Sequence, residues 1–460
     1  MLFPFAALGD SSARHSFSHE NANRKKRNCV IPMFSLKRII SQLLPQAIKN
    51  YSYHWPLAIV ANVAFGFPSR GMTIIGVTGT NGKTTTTKLI AVVLSESGQK
   101  TAYASTIEYG IGEKQWVNAS KFTTSSAWQL QKFLSDAKRV GCTYVVLETS
   151  SHALDQRRVW GISYAIAVMT NVTREHLDYH RTMAAYRLAK KKLFGGVQTA
   201  IVNDDMEQPE EYYLPASGKT ITYSTKDSNA TVVASEIELD LSGTRFLALG
   251  TSFRLKLPGL FNVENALAAI ATGQSLGIDI ETMKRALGKI TGIPGRMETV
   301  TNNRQIDILI DYAVTPDSFE KLYQVVKPMQ IPGTKIIHVF GACGERDRGK
   351  RPVMGKIASE NADVVILTNE DPYHEDPERI IDEIAVGVER KNSEQYFRIF
   401  DRREALTKAI SIAEAGDIIL VTGKGAEEMM VIGDRRMPWK ERDVIHEVLE
   451  ALAKKDATTN

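Results

Sequence analysis

At 460 residues, with 43% hydrophobic and 24% charged side chains, the chain is too long for one compact core and long enough for two large domains and an extension. Its net charge of +5 is small for that length, and its one dense basic run, Arg24-Lys25-Lys26-Arg27, lies in a polar segment that reads as a solvated tail, so nucleic acid is not an expected partner. Three cysteines, Cys29, Cys142 and Cys343, stand too far apart in sequence to suggest a metal cluster or a disulfide framework, which fits a reducing cytoplasm, and no apolar run reaches the roughly 20 residues needed to span a bilayer.

Residues 1–7 are apolar but lack a basic leader, so no secretion signal is expected. Met33, followed by an amphipathic pattern over 34–48, is a candidate translation start, and 1–72 reads as an extension that is helical from about 34. The run 55–67, interrupted by Pro56 and Asn62, reads as a packed helix, with contact of 52–67 with a membrane surface as the alternative.

The chain is organised around Gly76-Val77-Thr78-Gly79-Thr80-Asn81-Gly82-Lys83-Thr84-Thr85-Thr86. A β-branched approach over 72–77 runs into a glycine-punctuated turn, and a helical pattern over 84–94 closes at Gly98. Strand, loop and helix in that order expose backbone N–H groups and a helix N-terminus to an anion, while Lys83 can reach terminal phosphates and the Thr84 hydroxyl can hold Mg²⁺. The general pattern G-x-x-x-x-G-K-[ST] has glycine where Val77 stands, so it is met in part.

Next come a strand over 101–107 and a helix opened by the hydroxyl-rich 122–126. Strands over 143–147 and 165–170 then end in Glu148-Thr149-Ser150-Ser151-His152 and in Asn171 through His180. Strands alternating with helices predict a doubly wound parallel sheet, whose ligands collect beyond the carboxyl ends of its strands. Lys83, Glu148 and His176 then share one rim. Each has a plainer reading, a surface carboxylate for Glu148 and a structural imidazole for His176. In the helix over 184–194, Tyr186, Ala189, Lys190 and Leu193 share a face while Lys191 and Lys192 point elsewhere. From the residues alone Lys190 reads as a snorkelling lysine; the alternative is a buried neutral amine able to take up carbon dioxide as a carbamate.

Residues 201–250 suggest a small antiparallel excursion. Asn262 and Asn265 open an alanine-rich helix, where asparagine can offer an adenine edge a donor and an acceptor or simply cap the helix. After Gly295-Arg296-Met297-Glu298, three β-branched runs end in functional-looking loops: 335–340 before Gly341 to Pro352, 363–368 before Asn369-Glu370-Asp371-Pro372-Tyr373, and 417–422 before Gly423-Lys424-Gly425-Ala426-Glu427.

The loop Gly79 to Thr85 resembles the phosphate loop of the Mur ligase family, the ATP-dependent amide-forming enzymes of peptidoglycan synthesis. Segments 148–154, 170–180 and 186–194 resemble consecutive signatures of its third-residue branch, the UDP-N-acetylmuramoyl-tripeptide synthetases. The resemblance spans 73–460 and implies an α/β protein with a central P-loop-type ATPase domain over 73–297 and a C-terminal Rossmann-like, amino-acid-binding domain over 298–460. It implies ATP contacts from Gly79, Thr80, Asn81, Gly82, Lys83, Thr84, Thr85, Asn262, Asn265, Arg296 and Asp311. It also implies one Mg²⁺ on Thr84 and Glu148, a second at His176 beside a carbamylated Lys190, and catalytic roles for Lys83, Glu148, His176 and Lys190. Thr123, Thr124, Ser150, Gln156 and Arg158 would face a UDP-muramoyl dipeptide, and Glu370, Asp371, Tyr373, Gly423 and Glu427 a free amino acid. The implied reaction is cytoplasmic amide formation through an acyl phosphate. A folylpolyglutamate-synthase-like ligase and an inactive nucleotide-binding partner are the alternatives.

The chain departs from that family at four places. Residues 1–72 show no counterpart of the usual UDP-binding domain, Val314 and Ala426 stand where histidines are common, and Glu370-Asp371-Pro372-Tyr373 replaces the Asp-Asn-Pro-Arg loop of diaminopimelate enzymes. Tyr373 cannot offer a carboxylate the bidentate cationic fork of an arginine.

Overall fold

The computed structural model describes residues 48, 50–118, 120, 122–240, 243–389 and 394–459, with the backbone alone for 456–459. Cys29, the basic run 24–27, the candidate start at Met33 and all but the last residue of the helix expected over 34–48 lie outside them. From Asn50 a π-helical turn leads into α1 (Trp55–Ala64). Ala58 and Ala61 pack against Ala127, and the buried Asn62 amide donates to the carbonyls of Ala58 (3.0 Å) and Trp160 (2.6 Å). The run 55–67 is therefore a packed helix on its inner face, with Val60 and Val63 exposed on the outer one. Among the described residues no helix is long and apolar enough to cross a membrane.

A nine-stranded sheet follows, built from β1 (Thr73–Thr78), β2 (Thr101–Ala104), β3 (Glu108–Ile111), β4 (Lys114–Val117), β5 (Tyr144–Glu148), β6 (Tyr164–Met169), β7 (Thr199–Asn203), β8 (Lys219–Ser224) and β9 (Val232–Val233). Its order is β4-β3-β2-β5-β1-β6-β7-β8-β9, parallel except for the hairpins that join β2, β3 and β4. Alternate residues of β1 serve opposite faces. Ile75 and Val77 pack with α2 (Lys83–Glu96), and Ile74 packs with α3 (Ala127–Val140). Ser126 begins α3 with a capping box closed by Gln129, as the hydroxyl-rich 122–126 predicts. Beyond β5 and β6 lie the short helices α4 (Ser151–Asp155) and α5 (Leu177–His180), then α6 (Met183–Lys191). The antiparallel excursion is a three-stranded sheet of β10 (Ser235–Asp240), β11 (Gly243–Ala248) and β12 (Thr251–Leu255). It is followed by α7 (Leu260–Ser275) and α8 (Ile280–Gly288), which join the Ile75 side of the core.

The second sheet runs β13-β14-β18-β15-β16-β17, from β13 (Glu298–Val300), β14 (Asp307–Asp311), β15 (Ile336–Phe340), β16 (Val364–Leu367), β17 (Tyr396–Arg398) and β18 (Ile418–Thr422). β13 is antiparallel to β14, and the other pairs are parallel. One face is covered by α9 (Pro316–Val326), α10 (Lys350–Asn361) and α11 (Pro377–Ala385), the other by α12 (Arg402–Ile412) and α13 (Glu441–Thr459). A hairpin, β19 (Met429–Ile432) with β20 (Arg435–Pro438), follows β18.

Arg402 sits at the centre of this second lobe. Its Nε donates to Glu441 Oε1 (2.9 Å), Nη2 to the Thr422 carbonyl (2.8 Å) and Nη1 to the Asn369 carbonyl (3.3 Å). Both side chains of this salt bridge are buried, so removing one leaves the other's charge in the core without its counter-charge. Glu441→Ala should lower stability by about 3–5 kcal/mol, read as a fall in the urea midpoint, and the apolar pair Arg402→Met with Glu441→Met should recover most of it.

Candidate active site

Three strands end level with one another. Val77 pairs with Glu148 across β1 and β5 and with Val168 across β1 and β6, so the loops after all three strands emerge at one edge. The segment after β6 pins the phosphate loop. The Asn171 carbonyl accepts from Thr80 N (2.9 Å), Asn171 Oδ1 from Asn81 N (2.8 Å), and Thr170 Oγ1 donates to the Asn81 carbonyl (2.6 Å). Gly82 begins α2 at φ 82°, without a side-chain cap. The first N–H groups of the helix are thus left for an anion.

Glu148 collects hydroxyls. Its Oε2 accepts from Thr84 Oγ1 (3.0 Å) and Thr106 N (2.7 Å), and Oε1 accepts from Thr106 Oγ1 (2.9 Å). Mg²⁺ takes oxygen ligands at about 2.0–2.1 Å in an octahedron, which sets neighbouring ligands about 3 Å apart. The Thr84 and Glu148 oxygens already stand at that spacing, so the pair fits the ion. Lys83 folds back to donate to the Thr80 carbonyl (2.8 Å). Burial lowers its pKa, and Glu148 opposes that shift.

His176, half-buried, meets His152 edge to face with ring centroids 4.6 Å apart. Burial, with His152 and Lys190 nearby, holds it well below the usual imidazole range. Its ring is neutral and its nitrogens are available as ligands. Lys190 is 1% exposed, with Nζ 4.4 Å from the Tyr186 ring centroid. The snorkelling reading is thereby overturned, because the side chain runs inward past Tyr186 instead of along the surface. Burial first, and the charge of Lys83 second, push its amine well below the ordinary lysine range.

Three of the predicted dipeptide-facing residues, Thr124, Ser150 and Arg158, form a bonded patch beside Glu148. Thr124 Oγ1 donates to the Glu148 carbonyl (2.9 Å) and accepts from Ser150 N (2.9 Å); Ser150 caps α4, which ends at Gln156; and the Arg158 guanidinium holds the carbonyls of Thr124 and Ser125. Thr123 alone of the five lines the main cleft. Asn265 also lines it, accepting from Thr86 Oγ1 (3.1 Å). Asn262 lies behind, its amide donating to the Pro258 carbonyl (2.8 Å) and its oxygen accepting from Asn265 (3.2 Å).

That cleft, of about 250 Å³, joins the two lobes. Thr80 to Thr85, Glu148, His176 and Asn265 line one wall, and Arg296, Asp311, Glu370, Asp371, Tyr373 and Glu427 line the other. Arg296 lies 4.5 Å over the Tyr312 ring and reaches Thr84 Oγ1 (3.4 Å). Asp311, its pKa raised by burial, accepts from the N–H groups of Met297 and Ala313 (2.8 Å each) and so shapes the turn behind Arg296. Gly423 lies behind Glu370, where a Cβ would come within 2.7 Å of Glu370 Oε2. Thr106, Glu175, Asp317, Cys343, Arg346, Lys350 and Lys424 were not singled out by sequence as site residues. Asn81 Nδ2 donates to Asp317 Oδ2 (2.6 Å) and Lys350 to Glu175 Oε1 (3.3 Å), bridging the lobes. Arg346 and Lys424 stand in loops whose composition is suggestive and Lys350 opens α10 beyond the first of them, whereas Thr106 carries no pattern.

A phosphate loop with an oxygen pair for Mg²⁺, facing a second α/β lobe across a shared cleft, defines a two-lobed ATP-dependent ligase. Residues 77–273 match the Mur ligase middle domain, and 295–425 the Mur ligase, glutamate ligase domain. The chain therefore belongs to the Mur ligase family. It is 38% identical over 407 residues, covering 86% of this chain and 82% of the relative, to the UDP-N-acetylmuramoyl-L-alanyl-D-glutamate--2,6-diaminopimelate ligase of Syntrophomonas wolfei subsp. wolfei. To the UDP-N-acetylmuramyl-tripeptide synthetase of Roseiflexus sp. it is 40% identical over 409 residues, covering 84% and 80%. Among solved structures it is similar to a UDP-N-acetylmuramoyl-L-alanyl-D-glutamate--2,6-diaminopimelate ligase, with 33% identity, TM-score 0.58 and coverage of 89% of this chain and 84% of that one. A folylpolyglutamate synthase of Mycobacterium tuberculosis, at 16% identity, TM-score 0.66 and coverage of 85% and 95%, shares the fold.

At Gly82 a side chain would be strained by the positive φ and would collide with Asn265 Oδ1. Gly82→Ala should raise the Kd for ATP by about tenfold or more, measured by calorimetry on folded protein. Wild-type affinity in that variant would show that the loop tolerates a shifted backbone.

Proposed function

We propose that this ligase adds an amino acid to UDP-N-acetylmuramoyl-L-alanyl-D-glutamate in the cytoplasm, through an acyl phosphate. The observation that carries the reading is the shared cleft, where phosphate-binding groups of the first lobe face carboxylates and Arg346 of the second. The acceptor carboxylate is a poor electrophile until one oxygen becomes a leaving group. Its oxygen attacks the γ-phosphorus of ATP and ADP departs; the amine of the amino acid then attacks the acyl carbon, and phosphate leaves with the oxygen and the amine gives up a proton.

Lys83 and the first N–H groups of α2 hold the terminal phosphates in line. Thr84 and Glu148 would hold one Mg²⁺, and His176 with a carbamylated Lys190 would hold a second. Bound there, the ions would neutralise charge as the phosphoryl group transfers. The burial of Lys190, which lowers its pKa and so favours the unprotonated amine, supports carbamylation, since carbon dioxide adds only to an unprotonated amine. Thr123, Thr124, Ser150, Gln156 and Arg158 orient the dipeptide. The bridges Asn81–Asp317 and Lys350–Glu175 draw the lobes together around the acyl phosphate and keep out water that would hydrolyse it.

Phosphate release and product mass, recorded with ATP, Mg²⁺ and a panel of acceptors, test the reading. ADP formation that depends on the UDP-muramoyl dipeptide is expected; dependence on a folate would replace the acceptor, and no turnover with any pair would leave a nucleotide-binding partner. Lys83→Met should cut kcat by about 10²–10³. Lys190→Ala should abolish most turnover, recover part of it with added short carboxylates, and lose the ¹³C-carbamate resonance that wild type shows in ¹³C-bicarbonate. Full activity in that variant would remove the carbamate.

A further inference from the structure

Lys350 is a second-lobe cation held by the first lobe. Its Nζ donates to Glu175 Oε1 at 3.3 Å, and the two side chains, 9% and 10% exposed, line the cleft that the phosphate loop enters. Charge-assisted hydrogen bonds of this kind close to about 2.7–2.9 Å, so this one is slack. It is also incomplete on both sides. Among the described residues Glu175 is the one hydrogen-bond partner of the Lys350 ammonium, and Glu175 Oε2, buried, has no donor. The next residue is committed: Arg351 donates to Glu383 Oε2 (2.7 Å), Glu375 Oε2 (2.6 Å) and the Cys343 carbonyl (3.2 Å). Arg351 thus anchors the first turn of α10, while the four-carbon stem of Lys350 keeps its freedom to turn.

Glu175 is where the cations of the site converge. Lys83, Lys190 and Lys350 all feel its charge, yet only Lys350 donates to it, and Lys83 bonds the Thr80 carbonyl instead. The nearby Asp347 accepts from Gly349 N (2.9 Å). A triphosphate seated on Lys83 brings several negative charges into this space. Glu175 then faces like charge, and Lys350 meets a stronger partner, because a phosphoryl group in transfer spreads its charge over three oxygens.

We propose that Lys350 is a further catalytic residue: on nucleotide binding its ammonium passes from Glu175 to the γ-phosphoryl oxygens, so that the second lobe delivers a cation to the phosphoryl transfer. The inference rests on the ligase reading and deepens it. In that step the acceptor carboxylate oxygen bonds to the γ-phosphorus while the bond from that phosphorus to the ADP oxygen breaks. Lys350 keeps its proton and forms no covalent bond. Since the first lobe holds the phosphate, the exchange keeps the lobes joined where the bond to Glu175 joined them.

The phosphoryl step can be read by itself. ATP carrying ¹⁸O in its β,γ-bridge is incubated with the full chain, Mg²⁺ and the UDP-muramoyl dipeptide but no amino acid, and movement of the label to a non-bridging β-oxygen reports reversible acyl-phosphate formation. Lys350→Met should slow that movement and kcat together by about 10², with the Kd for ATP, measured by calorimetry, close to wild type; Lys350→Arg should recover part of the rate. Unchanged label movement in folded Lys350→Met, or a loss of ATP affinity as large as the loss of rate, overturns the proposal, since the pair is then only a tie between lobes. If Lys350→Met does not fold, Lys350→Gln, which keeps a donor to Glu175 without the charge, gives the same comparison. Wild-type label movement that needs a folate in place of the UDP-muramoyl dipeptide overturns the acceptor reading alone, and Lys350 is then compared on that acceptor; no label movement with either overturns both.

Discussion

The register of β5, β1 and β6 is the constraint on which the first lobe depends. Because Val77 lies opposite both Glu148 and Val168, the strand ends deliver a phosphate loop, a carboxylate and the Asn171 turn to one edge. A slip of one residue would turn Glu148 to the other face of the sheet and break its contact with Thr84. Packing fixes the register at Gly76, where a Cβ would press on Leu193 and on the Tyr164 ring at 2.7–2.8 Å. Leu193 belongs to the turn that follows α6, so the close approach that the glycine allows also seats the helix carrying Lys190. The strand pairing and the burial of that lysine are two results of one contact.

Burial then decides which groups carry charge. Lys83 and Lys190 lie close to the half-buried His176, and each cation raises the cost of the next. Glu148 and Glu175 oppose this, and Glu175 is itself held up by burial despite its bond to Lys350. His176 and Lys190 shift furthest, both toward their uncharged forms. The region is held together by groups that a bound, highly charged nucleotide would rebalance, which is the physical content of a site shaped for its substrate.

The sequence already contained the phosphate loop, the level strand ends and the three loops of the second lobe, because each is a local transition from β-branched residues to glycine and polar residues. It was silent on Thr106, a single hydroxyl beyond a strand that ends at Ala104, two residues before the turn that reaches Glu148. It was equally silent on the pairing of Asp317 with Asn81, 236 residues away. Lys190 shows a different limit. Periodicity put it on the inner face of its helix, yet whether its amine turned outward or inward depended on the Tyr186 ring and the neighbouring charges. The asparagines of α7 show a third: donor and acceptor groups suited to an adenine edge are equally suited to each other, and Asn262 and Asn265 bond one another and the backbone.

The second lobe solves its own positioning problem from behind. Arg402 binds the carbonyls of Asn369 and Thr422, the residues just before Glu370 and Gly423, and is itself neutralised by Glu441 at the start of α13. The two loops on the second-lobe side of the cleft are thus fixed by a buried ion pair. Lys424 adds a second tie, from Asp371 to Glu427. By contrast, the side-chain hydrogen bonds bridging the lobes at the cleft are few, Asn81 to Asp317 and Lys350 to Glu175 chief among them. Motion in the cycle therefore belongs at the junction of the lobes, while each lobe keeps its half of the cleft in place.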